Sequence, residues 1–231
     1  MTDPRERLII ALDVPSAAQA QRLVAAVGES AVFYKVGKQL FTAEGPRVVR
    51  DLIAAKRKVF LDLKYHDIPT TVAGAVSEAA KLEVDLVTVH ASGGGKMLRA
   101  AVEAAKARPR MAVLAVTVLT SLDDEDLDKI GVRGHVLDQV MRLAAIALAD
   151  GCQGIVASAR EARQLRSEFG TDFLLVTPGV RPAGTAAGDQ ARVVTPAEAF
   201  AAGASHIVVG RPIAEASDPA AAARGILEIA A

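Results

Sequence analysis

The sequence has one cysteine, Cys152, and no excess of charge: 27 Lys and Arg balance 27 Asp and Glu over 231 residues. A single thiol excludes an intramolecular disulfide and a cysteine-rich metal site, and it fits a reducing compartment. No run of Lys or Arg forms a tail or stripe, so nucleic acid and anionic membrane are poor partners. An anionic ligand must therefore be held by a local site. No apolar run approaches the roughly 18 residues that span a bilayer. The stretch from Met1 to Arg7 is polar, with no signal-type apolar segment behind it. The expectation is a soluble, cytoplasmic protein. No Pro/Gly/Ser-rich linker divides the chain, so residues 1–231 are expected to form one domain.

What is present is apolar and regular. The chain is 51% apolar, enough for one sizeable core. Eight short apolar runs read as strands: Leu8 to Val14, Val32 to Val36, Val59 to Leu63, Leu86 to His90, Ala112 to Leu119, Gly154 to Ala157, Phe173 to Thr177 and Ile207 to Val209. Between them lie Ala-rich stretches with apolar residues three and four apart, the spacing of amphipathic helices. Strands rich in Val, Ile and Leu suit a parallel sheet buried on both faces. Eight β-then-α units predict an α/β fold, a closed (β/α)8 TIM barrel. An open doubly wound sheet gives the same local signals, but no G-x-G-x-x-G follows the first strand.

Catalytic side chains of such barrels come from the C-terminal ends of strands. Here polar residues collect at those ends: Asp13, Lys35, Asp62 and Lys64 with Asp67 just beyond, His90, Thr120 with Ser121, Arg181, and Gly210 with Arg211. Asp62 and Lys64 are two apart on a strand and are expected to face the same way. Lys35, on the adjacent strand, could complete an acid and base cluster. The plainer reading is an ion-pair network below a site. Pro69 keeps Ile68 extended, which presents Asp67 away from its own strand. Thr70 or Thr71 is then expected to cap the next helix.

The last two units suggest a phosphate grip. Gly210 allows close backbone approach, and Arg211 can chelate phosphate oxygens. Arg181 and Gln190 bracket the loop "RPAGTAAGDQARVV", which suits a lid. Gly93-Gly94-Gly95 reads as a turn rather than a phosphate contact. Cys152 reads as buried filler, His66 and His206 lack the partners of a ligand set, and His90 reads as a hydrogen-bonded supporting residue. The run Asp123 to Asp126 reads as a solvated helix start.

The segments "KVG", "DLKYHDIPTTV", "TVLTS", "TPGVRP" and "VVGRPI", in this order, resemble the orotidine 5′-phosphate decarboxylase family. The resemblance runs from Asp13 to Arg211, and Thr70, where Asn is frequent, is a small departure. It implies that Lys64 donates a proton to C6 of the pyrimidine and that Asp62 sits near the substrate carboxylate. It implies an alternating array of Lys35, Asp62, Lys64 and Asp67, with Asp67 from the other subunit of a homodimer. Asp67, Ile68 and Thr71 would then complete the neighbouring site. Asp13 and Lys35 would bind ribose hydroxyls, and Thr120 the pyrimidine. Arg181, Gln190, Gly210 and Arg211 would bind phosphate. The substrate would be orotidine 5′-monophosphate, with no metal and no cofactor.

Two other readings compete. A sugar-phosphate decarboxylase or synthase of the same barrel group would use Mg2+ to stabilise an enediolate. A non-catalytic nucleotide-phosphate binding protein would keep Arg211 and Gln190 but would have no need of Lys35, Asp62 and Lys64 together.

Overall fold

The computed structural model describes residues 3–182 and 194–228. The apolar runs form β1 Leu8–Ala11, β2 Phe33–Gly37, β3 Lys58–Tyr65, β4 Leu86–His90, β5 Ala112–Val116, β6 Gly154–Val156, β7 Leu174–Thr177 and β8 His206–Val209. Each strand pairs in parallel with the next, and β8 pairs with β1. The sheet therefore closes into a (β/α)8 barrel, and the open doubly wound alternative falls away. Closure leaves no unpaired strand edge.

The helices are α1 Ala17–Val27, α2 Lys38–Glu44, α3 Arg47–Ala54, α4 Pro69–Lys81, α5 Gly94–Ala105, α6 Asp124–Lys129, α7 Val136–Ala149, α8 Ala159–Phe169, α9 Pro196–Ala201, α10 Arg211–Ala214 and α11 Pro219–Glu228. Strand alternation splits the core in two. Leu8 and Ile10 of β1 pack outward in a large cluster with helix residues such as Leu23 and Ile226. Ile9 and Ala11 point inward and pack with Phe33, Phe60, Leu86 and Leu114 in the barrel interior. Each fully buried Leu, Ile or Phe contributes about 1.5–3 kcal/mol from burial.

Local signals set the helix starts. Ser16 accepts a hydrogen bond from Gln19 N–H at the start of α1, and Asp123 forms a capping box with Asp126 at α6. The expected cap by Thr70 or Thr71 is not formed. Ile68 holds the cap position of α4, extended at φ −59° and ψ 153°, and no side chain caps it. Pro69 is pre-shaped for the first helical position and lacks an N–H, so the helix starts ahead of both threonines. The triple glycine is not the separate turn expected: Gly93 ends a short 3-10 helix over Ala91–Gly93, and Gly94, at φ +78°, opens α5.

Several strand boundaries shift by a residue or more, and three of the shifted ends matter for the site. β1 ends at Ala11 and β5 at Val116, which leaves Asp13 and Thr120 in the loops beyond. β3 runs on to Tyr65, so Lys64 lies within the strand. Among the described residues, no helix is long and apolar enough to cross a membrane.

Candidate active site

The C-terminal mouth of the barrel gathers the charged residues into a chain of alternating sign. Lys35 reaches up from β2, with Nζ 2.9 Å from Asp13 Oδ1 and 3.7 Å from Asp62 Oδ2. Lys64 Nζ lies 2.8 and 2.9 Å from the two Asp62 oxygens. Lys35 is only 8% exposed and Asp62 9%, whereas the Asp13 side chain is open to solvent at 60%. Gly37 makes room for this packing. A Cβ there would stand 2.9 Å from Lys35 Nζ and 3.1 Å from Asp13 Oδ1.

Burial alone would raise the Asp62 carboxyl above its ordinary range. The neighbouring Lys64 and Lys35 ammonium groups outweigh that, aided by hydrogen bonds from Lys64 and Thr88, and hold it below 3.8. Each charge pair at about 4 Å is worth about 4 kcal/mol at an effective dielectric near 20, enough to keep the carboxylate ionised.

The two residues do not meet by simple strand alternation. Leu61 pairs with Val87 and Tyr65 with Val89, so β3 uses more residues than β4 over this stretch. The excess is a bulge. Lys64 adopts φ +52°, a left-handed conformation that costs a side-chain-bearing residue roughly 1–2 kcal/mol. Its backbone N–H donates to Thr88 Oγ1 at 2.9 Å, and the same hydroxyl donates to Asp62 Oδ1 at 3.0 Å.

Two adjoining cavities open here, sharing Lys35, Asp62, Pro178 and Val208. The larger, about 610 Å³, is lined by Asp13, Arg181, Gly210 and Arg211 among others. Arg181 is buried at 8% exposure, and its backbone N–H donates to Val194 O at 3.0 Å. The smaller, about 150 Å³, is apolar: Phe60, Val116, Val156 and Leu119 surround Lys64 and Thr120. One lobe therefore suits a phosphorylated sugar, and the other a flat ring beside an ammonium.

Asp67, Ile68 and Thr71 are exposed and line neither cavity. The Asp67 side chain accepts from Ile68 N–H. Gln190 lies outside the described residues, as does most of the loop read as a lid. His90 packs on His66, with ring centroids 5.3 Å apart. Burial, then the neighbouring His66, Lys64 and Lys38, push the His90 imidazole down to about 4. Cys152 is buried, and burial pushes its thiol up to about 12, which fits filler. Among the described residues, no three His, Cys, Asp or Glu gather where they could hold a metal ion. The carboxylates of Asp13 and Asp62 are engaged by ammonium groups instead.

Thr88 is the residue that sequence reasoning missed. It sits between Val87 and Val89, and a Thr in such a run reads as ordinary strand. The available signal was its position two before His90, which places it on the same inward face.

A closed parallel barrel with carboxylates, ammonium groups and two arginines at its C-terminal mouth defines a barrel enzyme for an anionic substrate. The chain belongs to the orotidine 5′-phosphate decarboxylase / HUMPS family, whose model matches residues 6–226. It is 55% identical to the orotidine 5′-phosphate decarboxylase of Halorhodospira halophila, over 97% of this chain and 96% of that one. It is 53% identical to the enzyme of the same name from Afipia carboxidovorans, over 98% of this chain and 95% of that one. The crystal structure of orotidine 5′-phosphate decarboxylase from Lactobacillus acidophilus is similar with a TM-score of 0.88 at 39% identity. That match covers 97% of this chain and 99% of that one.

Proposed function

We propose that this chain converts orotidine 5′-monophosphate to UMP in pyrimidine biosynthesis, with Lys64 as the proton donor. The observation that carries the reading is the Lys64 ammonium, held on both oxygens of Asp62 within an apolar cavity that adjoins an arginine-lined one. The family description covers more than one activity. The relatives at 53–55% identity are named for this one, which favours it over the Mg2+-dependent sugar-phosphate reading.

The chemistry follows from the charges. The bond from C6 to the carboxylate breaks, CO2 leaves, and the electron pair stays on C6 in the plane of the ring. The ring's π system cannot delocalise that pair. A fixed ammonium beside C6 stabilises it as it forms and then gives it a proton, and the N–H electrons return to Nζ. Asp62, kept ionised by both lysines, lies near the departing carboxylate and disfavours its charge in the bound substrate. Lys35 and Asp13 hold ribose hydroxyls, and Thr120 contacts the pyrimidine. Arg181, Gln190, Gly210 and Arg211 hold phosphate, whose binding energy orders the site around the distant reacting carbon.

The working unit in this reading is a cytoplasmic homodimer of single-domain subunits spanning residues 1–231. Asp67, Ile68 and Thr71 complete the neighbouring subunit's site. Their exposure supports this, above all that of Ile68, an apolar side chain 64% open to solvent.

The test is the ultraviolet absorbance change of orotidine 5′-monophosphate with purified protein in excess EDTA, beside Lys64→Ala. Conversion to UMP by the wild type alone is the expected result. A well-folded wild type that converts nothing would overturn the reading.

A further inference from the structure

The bulge in β3 leaves the Lys64 N–H without a place in the strand ladder, and a buried N–H without a partner is costly. The partner here is a side chain of the next strand. Thr88 is fully buried, at 0% exposure, on the inward face of β4 between the residues that pair with Leu61 and Tyr65. Its hydroxyl accepts from Lys64 N–H at 2.9 Å and donates to Asp62 Oδ1 at 3.0 Å. A hydroxyl has one proton to give and lone pairs to receive, so one atom serves both contacts without conflict. The other Asp62 contacts come from the lysine ammonium groups.

We propose that Thr88 is a positioning residue for decarboxylation, whose hydroxyl fixes the left-handed backbone of Lys64 and the rotation of the Asp62 carboxylate as one unit. This rests on the reading of Lys64 as proton donor. Without the hydroxyl, Lys64 N–H loses its partner and the bulge relaxes. The ammonium then moves relative to a substrate held independently by the ribose and phosphate contacts. Binding is largely kept, and chemistry is lost.

The experiment compares Thr88→Val, which keeps shape and removes the hydroxyl, with Thr88→Ser, which keeps the hydroxyl. Steady-state kinetics on orotidine 5′-monophosphate and the thermal midpoint are measured for each, with Lys64→Ala alongside. A misplacement of about 1 Å costs about 100-fold, so Thr88→Val should lose about that much in kcat with KM changed by less than about threefold. Thr88→Ser should stay within about threefold of wild type, and the acid limb of kcat/KM should move to higher pH in Thr88→Val only. Wild-type kcat in Thr88→Val overturns the proposal, as does an equal loss in Thr88→Ser, which would make side-chain shape the requirement. If Thr88→Val folds poorly, Thr88→Ala against Thr88→Ser makes the same comparison. Activity retained by Lys64→Ala would instead sink the proton-donor reading itself.

Discussion

The Lys64 ammonium bridges both oxygens of the Asp62 carboxylate, at 2.8 and 2.9 Å, although only one residue separates them along a strand that would not by itself bring them so close. Lys35 approaches the same carboxylate from β2. Asp62→Asn would leave two ammonium groups facing each other without the carboxylate between them. Breaking such a buried pair costs about 3 kcal/mol or more, so unfolding free energy in urea should fall by about that amount. The kcat/KM should fall by at least about 100-fold through lost electrostatic preorganisation. A variant as stable as wild type would show that the carboxylate does not offset the charge it faces.

Gly37→Ala separates site geometry from fold stability. The new methyl meets the far end of the Lys35 side chain, which can swing aside, so the barrel should remain intact. The ammonium must leave its position between Asp13 and Asp62. We expect a thermal midpoint within about 3 °C of wild type and a loss of about 10- to 100-fold in kcat/KM. An unchanged kcat/KM would show that Lys35 placement is not critical.

A shared site makes a quantitative forecast for mixed subunits. Lys64→Ala and Asp67→Ala should each be inactive alone. After random subunit exchange, half the dimers are mixed, and each mixed dimer carries one intact site, so activity should recover to about a quarter of wild type. No recovery, with exchange verified by mass, would place Asp67 outside the neighbouring site.

His206 sets an acid limit on the fold. It is half-buried at the start of β8, and its Nδ1, which is shut off from solvent, has no hydrogen-bond partner among the described residues. Burial pushes its imidazole down to about 4, from an ordinary 6.5. Between those values the unfolded chain binds the proton and the folded chain does not. Stability is therefore full above pH 6.5 and declines as pH falls toward 4, by about 3 kcal/mol at most. Urea unfolding across that window should show the decline, and His206→Asn should flatten it. An unchanged slope in the variant would assign the acid sensitivity elsewhere, with His90 the next group to test.

Phosphate should be felt at the far end of the substrate. If the Arg181 and Arg211 cavity grips it, the nucleoside orotidine should lose heavily in kcat/KM. Arg211→Ala should then cost the nucleotide at least about 100-fold and the nucleoside much less. Equal kcat/KM for the two substrates would remove phosphate from the account.

Much of this was legible in the chain because charge interrupts apolar runs at defined places. Asp62 and Lys64 lie in the second half of β3, Lys35 lies within β2, Arg181 and Arg211 lie past β7 and β8, and closure of the barrel brings them to one mouth. Asp13 was placed on a strand and Thr120 at a strand's end, yet both lie in loops, because Val14 and Val118-Leu119 extend the apolar runs past the last paired residues. Period-two reasoning brought Asp62 and Lys64 together by the wrong route, since alternation cannot reveal a bulge. Thr88 was hidden because its partners lie 24 and 26 positions earlier, and only the pairing of β3 with β4 brings them near. The threonines after Pro69 show local preference yielding to a proline that begins the helix first.

Phe60, Val116, Val156 and Val208 belong to the barrel interior and also wall the small apolar cavity. The lining that would receive the substrate's ring is thus the uppermost layer of the barrel's own filling. No spare layer insulates one from the other. Drift in these four side chains is constrained twice, once by the need to stay folded and once by the need to fit a ring. A change selected to admit a larger base would register at once as a loss of cohesion in the barrel.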